Sequence, residues 1–407
     1  MHCGLLGRTL GHSYSPQIHS MLADYSYELF EVEPKSLETF LKTSNFNGLN
    51  VTIPYKKTVI PYCDELSACA SRLGAVNTLI RCADGRLIGH NSDCFGFASM
   101  AQRSGLPFSG KKVLVLGSGG ASATVQAVLT DLGATPVVIS RTGGNNYQNL
   151  YMHQDASIIV NTTPVGMYPN VGISPINLNL FPDLIGVLDV VYNPSRTQLL
   201  LDAEKHGLVS ENGLWMLVAQ AKESAEWFLG KQLSNDLITR IHRQLRSQMQ
   251  NTILIGMPGC GKSTIGQALA ALTGRNFVDT DTYIVKKAGK DIPSIFRDDG
   301  EDVFRDLETE VLAELGRQSG LVIATGGGCV TRPLNYPLLH QNGSIVWLTR
   351  ELSQLATDGR PLSQGSRLEE MYHIRKPLYA RFADYVISNN DTPQTIATSI
   401  ASLEANL

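Results

Sequence analysis

The sequence predicts an α/β chain, and three observations carry that prediction. Two glycine-rich loops of the phosphate-binding kind each follow an apolar strand and open a helix. Around both loops, strand-like runs alternate with helical stretches, the pattern of domains built on mainly parallel sheets. Hydrophobic residues make up 43% and charged residues 17%, values of a chain that buries a core rather than one that stays disordered. At about 150 residues per domain, 407 residues correspond to two or three domains. A net charge of −3 supplies no overall field for nucleic acid or anionic lipid, and neither is expected as a partner. The apolar runs are strand-sized, whereas a membrane span needs roughly 20 consecutive apolar residues. Arg8 interrupts the N-terminus before a signal-peptide core could form. The seven cysteines show no paired spacing, so reduced thiols, no zinc framework and a cytosolic home are expected.

The first hundred residues concentrate small polar groups on short motifs. These are Ser13-Tyr14-Ser15, Asn50-Val51-Thr52-Ile53-Pro54-Tyr55-Lys56, Ala75-Val76-Asn77-Thr78 and Asn91-Ser92-Asp93. Singly, each has an ordinary structural explanation. A serine before Pro16 can cap a helix, Asn77 can form a turn, and Asp93 can cap the helix that follows. Lys56, coming after an apolar strand, can be a surface lysine.

Lys112-Val113-Leu114-Val115-Leu116 reads as a strand that leads into Gly117-Ser118-Gly119-Gly120-Ala121-Ser122. Gly117 permits a tight turn, and Gly119 lets backbone approach a pyrophosphate at the helix N-terminus. Ser122 stands where a third glycine is usual, and a plain glycine turn is the other reading. Val137-Val138-Ile139 follows where a Rossmann-type domain places its ribose-reading residue. It runs into Ser140-Arg141-Thr142 instead of the acid of an NAD site. A guanidinium suits the 2′-phosphate of NADP, with a solvated surface arginine as the alternative. Residues 213–229 form an amphipathic helix in which Leu214, Leu217, Val218, Ala221, Ala225 and Phe228 face a core. Asn212-Gly213 starts it and Gly230 ends it. The two loops belong to different types, so the chain joins two domains of different ancestry. The join is expected in the polar stretch 243–251, where Met249 resembles a relic start.

The second half opens on the strand Thr252-Ile253-Leu254-Ile255 and on Gly256-Met257-Pro258-Gly259-Cys260-Gly261-Lys262-Ser263-Thr264, a complete GxxxxGK[ST]. Gly259, Gly261 and Thr264 belong to the ATP cradle, Lys262 reaches the β/γ oxygens, and Ser263 ligates Mg²⁺. Phe277-Val278-Asp279-Thr280-Asp281 reads as a strand that turns both acids to one face. One acid then reaches the metal shell, a role given to Asp279, while the other accepts from a nucleophilic hydroxyl. Two acids capping a helix is the competing explanation. Arg305, Arg360 and Arg375 bring planar guanidinium forks suited to a carboxylate, although an arginine on a helix more often forms a solvated ion pair.

Taken together, the ordered motifs up to about residue 245 resemble shikimate dehydrogenase. They are Gly11-His12-Ser13-Tyr14-Ser15-Pro16, the 50–56 stretch, Gly74-Ala75-Val76-Asn77-Thr78, Gly117 to Ala121, Asn161-Thr162-Thr163-Pro164-Val165-Gly166-Met167, and Gly213 to Ala221. The resemblance implies a dehydrogenase over 1–248, with a substrate domain (1–100 plus 213–248) and an NADP domain (101–212). It makes Lys56 the catalytic group with Asp93 its partner. Ser13, Ser15, Thr52, Asn77, Asp93 and Gln220 then hold the substrate. Gly117, Gly119, Gly120, Ala121, Ser140, Arg141, Thr142, Val190 and Gly213 hold NADP(H), and Tyr192 lines the cleft. No second arginine follows Arg141, so some relaxation toward NAD is expected.

Residues 251–407 resemble shikimate kinase, through the P-loop, Asp279-Thr280-Asp281, Gly300-Glu301 with Phe304-Arg305, Gly326-Gly327-Gly328, and Arg375 before Pro377-Leu378-Tyr379. The resemblance implies a P-loop kinase domain over 249–407 that uses ATP and Mg²⁺. Asp281, Arg305, Gly327 and Arg375 would bind shikimate, Asp281 would act catalytically, and Arg360 would sit in a short lid over ATP. The chain is therefore expected to reduce 3-dehydroshikimate to shikimate and to phosphorylate the hydroxyl so formed. The alternatives are a quinate/shikimate dehydrogenase with relaxed cofactor use, and a metabolite-binding regulator without turnover.

Overall fold

A computed structural model of the chain describes residues 1–11, 13–355 and 366–405. It contains three sheets, in two compact units. The first unit takes in Met1–Val165, Ser174–Tyr192 and Asp202–His242; the second takes in Gly166–Ile173, Asn193–Leu201 and Arg243–Leu407.

The first unit holds two sheets. One is six-stranded, in the order Ser26–Glu31, His2–Gly7, Gly48–Val51, Thr78–Arg81, Leu87–His90, Glu65–Leu66. Its first three strands are parallel, but Thr78–Arg81 runs antiparallel to both its neighbours, so this sheet is mixed. The other sheet is parallel throughout, in the order Val209–Glu211, Gly186–Asp189, Ile158–Asn161, Lys112–Leu116, Thr135–Ile139. Val113 to Leu116 and Ile158 to Val160 are inaccessible to solvent. Strands covered on both faces need such unbroken apolar runs. Fully burying each of these side chains is worth about 1.5–3 kcal/mol. From Lys112–Leu116 the sheet continues to Thr135–Ile139 on one side and to Ile158–Asn161 on the other. The Gly117 loop therefore lies at the switch point where open α/β sheets bind ligands.

The helix Leu214–Leu229 takes its N-cap at Gly213 and ends at Gly230, at the expected positions. A Cβ on Gly213 would run into the carbonyl of Val190, so only glycine fits there. The helix packs on Asp93–Ser104 and on Ser15–Leu22, so it returns to the first hundred residues. Gly96 permits that approach: a Cβ there would come within 2.8 Å of the Met216 carbonyl and 2.9 Å of Gln220 Cβ.

The second unit is built on a five-stranded parallel sheet, Asn276–Asp279, Leu321–Ala324, Asn251–Ile255, Gly343–Thr349, Tyr385–Ser388. Its central strand feeds the P-loop. Within this unit Ser195 N–H donates to Asn342 Oδ1 at 2.8 Å, and Arg196 N–H donates to the Gln341 carbonyl at 2.8 Å. Arg196 Nη1 also donates to the His340 carbonyl at 3.1 Å. The expected join at 243–251 is helical up to Met249, because a single helix, Asp236–Met249, runs across it. Among the described residues, no helix is long and apolar enough to cross a membrane.

Candidate active sites

In the first unit, Lys56 follows the strand Gly48–Val51, and Asp93 is the first residue of the helix Asp93–Ser104. Their side chains meet, with Lys56 Nζ 2.6 Å from Asp93 Oδ2. The lysine side chain is 30% exposed and the aspartate 14%. Asn91 Oδ1 accepts from Asp93 N–H at 3.1 Å, and Asn91 Nδ2 donates to the Ala75 carbonyl at 3.0 Å. This ties the Asn91-Ser92-Asp93 corner to the Ala75-Val76-Asn77 corner. Asn77 is buried, and Ser92 Oγ bridges it to Gln220. Thr52 is half-buried, its N–H bonded to the Leu6 carbonyl at 2.9 Å. Ser13 Oγ accepts from Ser15 N–H at 3.2 Å. The N-cap of the helix Ser15–Leu22 is Tyr14, whose side chain makes no capping bond, so it is the Ser13 hydroxyl that takes the first N–H of the helix. The Tyr14 and Tyr192 rings meet edge-on at 6.2 Å, and burial holds the Tyr192 phenol above its usual range.

The dinucleotide loop converges with the Asn161-Thr162-Thr163 motif. A Cβ on Gly117, whose φ is +101°, would sit 2.9 Å from Thr163 Cγ2. Gly119 caps the helix Gly120–Asp131, and a Cβ on Gly119 or Gly120 would meet nothing within 4 Å. Backbone N–H groups at this helix start are therefore open to an anion, with Ala121 in the first turn. Ser122, in the third-glycine position, is buried and takes a bond from Gln126 Nε2 at 3.1 Å. Ser140 is buried while Arg141 and Thr142 are exposed. The chain around them is held by the Ser140 hydroxyl, which donates to the Thr142 carbonyl at 2.8 Å. Asp189 is a residue that the motifs did not single out. It is wholly buried, accepts from Asn161 Nδ2 at 3.0 Å and from Val191 N–H at 3.0 Å, and so sets the Val190 backbone against Gly213.

In the second unit, Gly256, Gly259 and Gly261 take φ values of +143°, +82° and +98°. The helix Lys262–Thr273 follows them. Lys262 is buried, and its ammonium donates to the carbonyls of Gly256 and Met257 at 2.9 and 3.0 Å. Ser263 and Thr264 are exposed at the helix start. Ser263 Oγ donates to Asp279 Oδ2 at 2.7 Å.

The two acids are not strand neighbours. The strand Asn276–Asp279 ends at the first acid, and Asp281 lies in the first turn of the helix Thr280–Ala288. Asp279 is the N-cap, with Oδ1 accepting from the N–H groups of Asp281 and Thr282 at 3.0 and 3.3 Å. One Asp279 oxygen thus caps the helix and the other faces the P-loop serine, which overturns the expectation of a shared strand face.

Asp281 and Arg305 approach the same glycine turn. A Cβ on Gly326 would lie 2.8 Å from Glu308 Oε1 and 2.9 Å from Asp281 Oδ1, and one on Gly328 would strike the Arg305 guanidinium. Gly327 offers its carbonyl to Tyr379 O–H at 2.5 Å. Arg375 is half-buried on the helix Ser366–Phe382, close enough to Glu308 for its charge to act there. Glu308 was not singled out in the sequence. It pairs with Arg305 Nη1 at 2.8 Å, and burial pushes its carboxyl up against the opposing pull of that guanidinium. Arg360 and most of the expected lid lie outside the described residues.

A parallel sheet with a switch-point glycine loop, a lysine–aspartate pair in the same compact unit, and a P-loop domain behind them define an oxidoreductase joined to a phosphotransferase. The shikimate kinase family model matches residues 258–404, and the model of the shikimate dehydrogenase substrate binding domain matches residues 5–79. Over 259 residues the chain is 34% identical to the "Shikimate dehydrogenase (NADP(+))" of Methanosphaera stadtmanae, covering 56% of this chain and 91% of that relative. The crystal structure of the Thermus thermophilus shikimate 5-dehydrogenase in complex with NADP(H) and shikimate is 30% identical, with a TM-score of 0.55. It covers 60% of this chain and 99% of that one. A Corynebacterium glutamicum quinate dehydrogenase in complex with NAD is 28% identical with a TM-score of 0.55, over 61% and 99% of the two chains. The chain belongs to the shikimate dehydrogenase family and carries a shikimate kinase domain behind it, a bifunctional fusion of the shikimate pathway.

Proposed function

We propose that the chain reduces 3-dehydroshikimate to shikimate with NADPH at the Lys56 site and phosphorylates shikimate to shikimate 3-phosphate with MgATP at the P-loop site. The observation that carries the first reaction is the 2.6 Å pairing of Lys56 with Asp93 beside the buried amide of Asn77. NADPH supplies the hydride, and MgATP the transferable phosphoryl group. Negative charge then develops on the former ketone oxygen. The Lys56 ammonium stabilises it and gives up a proton, with Asp93 holding the ammonium in place. Ser13, Ser15, Thr52, Asn77 and Gln220 orient the substrate's carboxylate and hydroxyls. Open N–H groups at Gly119 and Gly120 suit a pyrophosphate, with Gly117, Ala121, Val190 and Gly213 shaping the cradle. Ser140, Arg141 and Thr142 take the 2′-phosphate.

In the second reaction Asp281 accepts the proton of the shikimate 3-hydroxyl. Arg305 and Arg375 clamp the carboxylate, with Gly327 contributing backbone. Lys262 and the backbone from Gly259 to Thr264 cradle the phosphates. Ser263 Oγ and Asp279 Oδ2, hard oxygens 2.7 Å apart, are donors of the kind Mg²⁺ takes alongside phosphate, with Asp279 in the outer shell.

The whole reading is tested by supplying 3-dehydroshikimate, NADPH and MgATP to the purified chain and following products by mass spectrometry. Shikimate 3-phosphate is the expected product, and accumulation of shikimate alone would remove the kinase half. A mixture of Lys56→Ala and Asp281→Asn chains is expected to restore the full conversion by diffusion. A mixture that lags far behind the unmutated chain, with each intact site active on supplied substrate, would instead indicate passage within one molecule.

Arg141→Ala is expected to narrow the preference for NADPH over NADH. A charge-assisted hydrogen bond is worth about 1.5–3 kcal/mol, roughly ten- to a hundred-fold in affinity. Arg141 is exposed and no second arginine follows it, so the smaller change is expected. The ratio of kcat/KM for the two cofactors measures it, and an unchanged ratio would place the 2′-phosphate elsewhere.

A further inference from the structure

Ser92 stands at the N-cap of the helix Asp93–Ser104, where a serine hydroxyl ordinarily accepts from a first-turn N–H. It makes no such bond. The hydroxyl turns inward, 3.1 Å from Asn77 Nδ2, 3.3 Å from Gln220 Oε1 and 2.9 Å from Ser224 Oγ. Ser92 backbone N–H meanwhile donates to Asn77 Oδ1 at 2.8 Å. An N–H has only a proton to offer, so the atom facing it must be the amide oxygen, and the orientation of Asn77 is fixed. Thr78 Oγ1 donates to the same oxygen at 2.9 Å. The Asn77 amide nitrogen gives one proton to Ser92 Oγ and keeps the other for a ligand.

Gln220 is set in the same sense. Its Oε1 faces the Ser92 hydroxyl at 3.3 Å, and its Nε2 donates to the Leu217 carbonyl at 3.0 Å. That leaves one N–H of each amide uncommitted among the described residues. Ser224, wholly buried one helical turn beyond Gln220, sets its hydroxyl 2.9 Å from that of Ser92 and so backs it from the interior. Asn50 Nδ2 fills one side of Ser224 Oγ at 2.7 Å, and Tyr27 O–H in turn holds Asn50 Oδ1 at 2.7 Å. Ser224 Oγ donates to the Gln220 carbonyl at 3.0 Å and lies 2.9 Å from Ser92 Oγ and 3.0 Å from Thr78 Oγ1. Ser92 Oγ accepts from Asn77 Nδ2, and its own proton faces Asn77 Oδ1 at 3.2 Å and Gln220 Oε1 at 3.3 Å, so the one hydroxyl touches both amides.

We propose that Ser92, backed by Ser224, is a positioning residue of the reductase site, holding the Asn77 and Gln220 amides so that each presents an N–H to a hydroxyl oxygen of the substrate. This rests on the reading of Asn77 and Gln220 as substrate-holding groups.

The test uses the full chain, with shikimate oxidation by NADP as the assay. Ser92→Ala is expected to raise the shikimate KM about ten-fold, the order of one hydrogen bond, with the NADP KM within about two-fold of wild type. Ser92→Thr keeps the hydroxyl and is expected to restore the shikimate KM. Ser224→Ala shifts it in the same direction by less, and decides by the same criteria if Ser92→Ala does not fold. In a Gln220→Ala background, Ser92→Ala is expected to add less than it does in the wild type, because part of its effect runs through that amide. An unchanged shikimate KM in Ser92→Ala would overturn the proposal. So would a parallel rise in both KM values with a lowered unfolding midpoint in the alanine and threonine chains alike. If Asn77→Ala and Gln220→Ala raise the shikimate KM while Ser92→Ala does not, only the positioning role fails. If Asn77→Ala and Gln220→Ala leave it unmoved, the substrate-holding reading falls first.

Discussion

Lys56→Ala is expected to cut reduction of 3-dehydroshikimate by about 10²–10⁴-fold, the range that a positioned proton donor contributes. The alanine removes both the proton and the cation that faces the developing oxyanion. It also leaves Asp93, only 14% exposed, without the ammonium now 2.6 Å away. Lys56→Arg restores charge but not a compact, deprotonatable donor, so it is expected to stay well below wild type. Phosphorylation of supplied shikimate continues in both chains, because the P-loop, Asp281 and Arg305 all belong to the other compact unit. Steady-state rates for the two reactions, measured on one preparation, decide the point. Near-wild-type reductase turnover in the alanine chain would take Lys56 out of the chemistry.

The counterpart in the second unit is Asp281→Asn, for which a loss of about 10²–10⁴-fold in phosphorylation turnover is expected. Asparagine keeps the size of the side chain and its place in the first helical turn, so shikimate affinity should move little while kcat collapses. Arg305→Ala should do the reverse, raising the shikimate KM, because it removes one arm of the carboxylate clamp and strands the buried Glu308 carboxylate. A rise confined to the ATP KM in Arg305→Ala would contradict the assignment, and so would an Asp281→Asn chain with intact turnover. Reductase activity in both chains is expected to match wild type.

Much of this was legible in the sequence because it rests on local chemistry. The strand at Lys112–Leu116, the P-loop and the bounds of Leu214–Leu229 follow from apolar runs, glycine placement and helix-end residues, and the structure has each at its expected position. The Asp279–Asp281 corner was misread because alternation on a strand and the first turn of a helix both begin at the same acid. A capping aspartate ends the strand earlier than alternation suggests. The mixed character of the first sheet was hidden for a different reason: strand direction is a property of connections, and short apolar runs carry no sign of it. Glu308, Asp189 and Ser224 have no motif of their own: Asp189 and Ser224 take their meaning from Asn161 and Asn50, distant in the chain, and Glu308 from its burial beside Arg305. The free thiols of Cys69 and Cys94, 25 positions apart, come within 2.6 Å, a meeting that cysteine spacing did not announce.

The composition of the second unit bears on whether a fusion can be undone. Gly166–Ile173 and Asn193–Leu201 are encoded well before the kinase sequence begins, yet they belong to its compact unit. Ser195 and Arg196 donate hydrogen bonds to Asn342, Gln341 and His340. Dividing the gene near Met249 would sever those bonds in both products. The upstream fragment would carry Ser195 and Arg196 deprived of their partners, and the downstream fragment would show solvent the backbone carbonyls of Gln341 and His340. A cut near Met249 thus leaves those hydrogen bonds unmade in both fragments, and a lowered unfolding midpoint in each is the expected result.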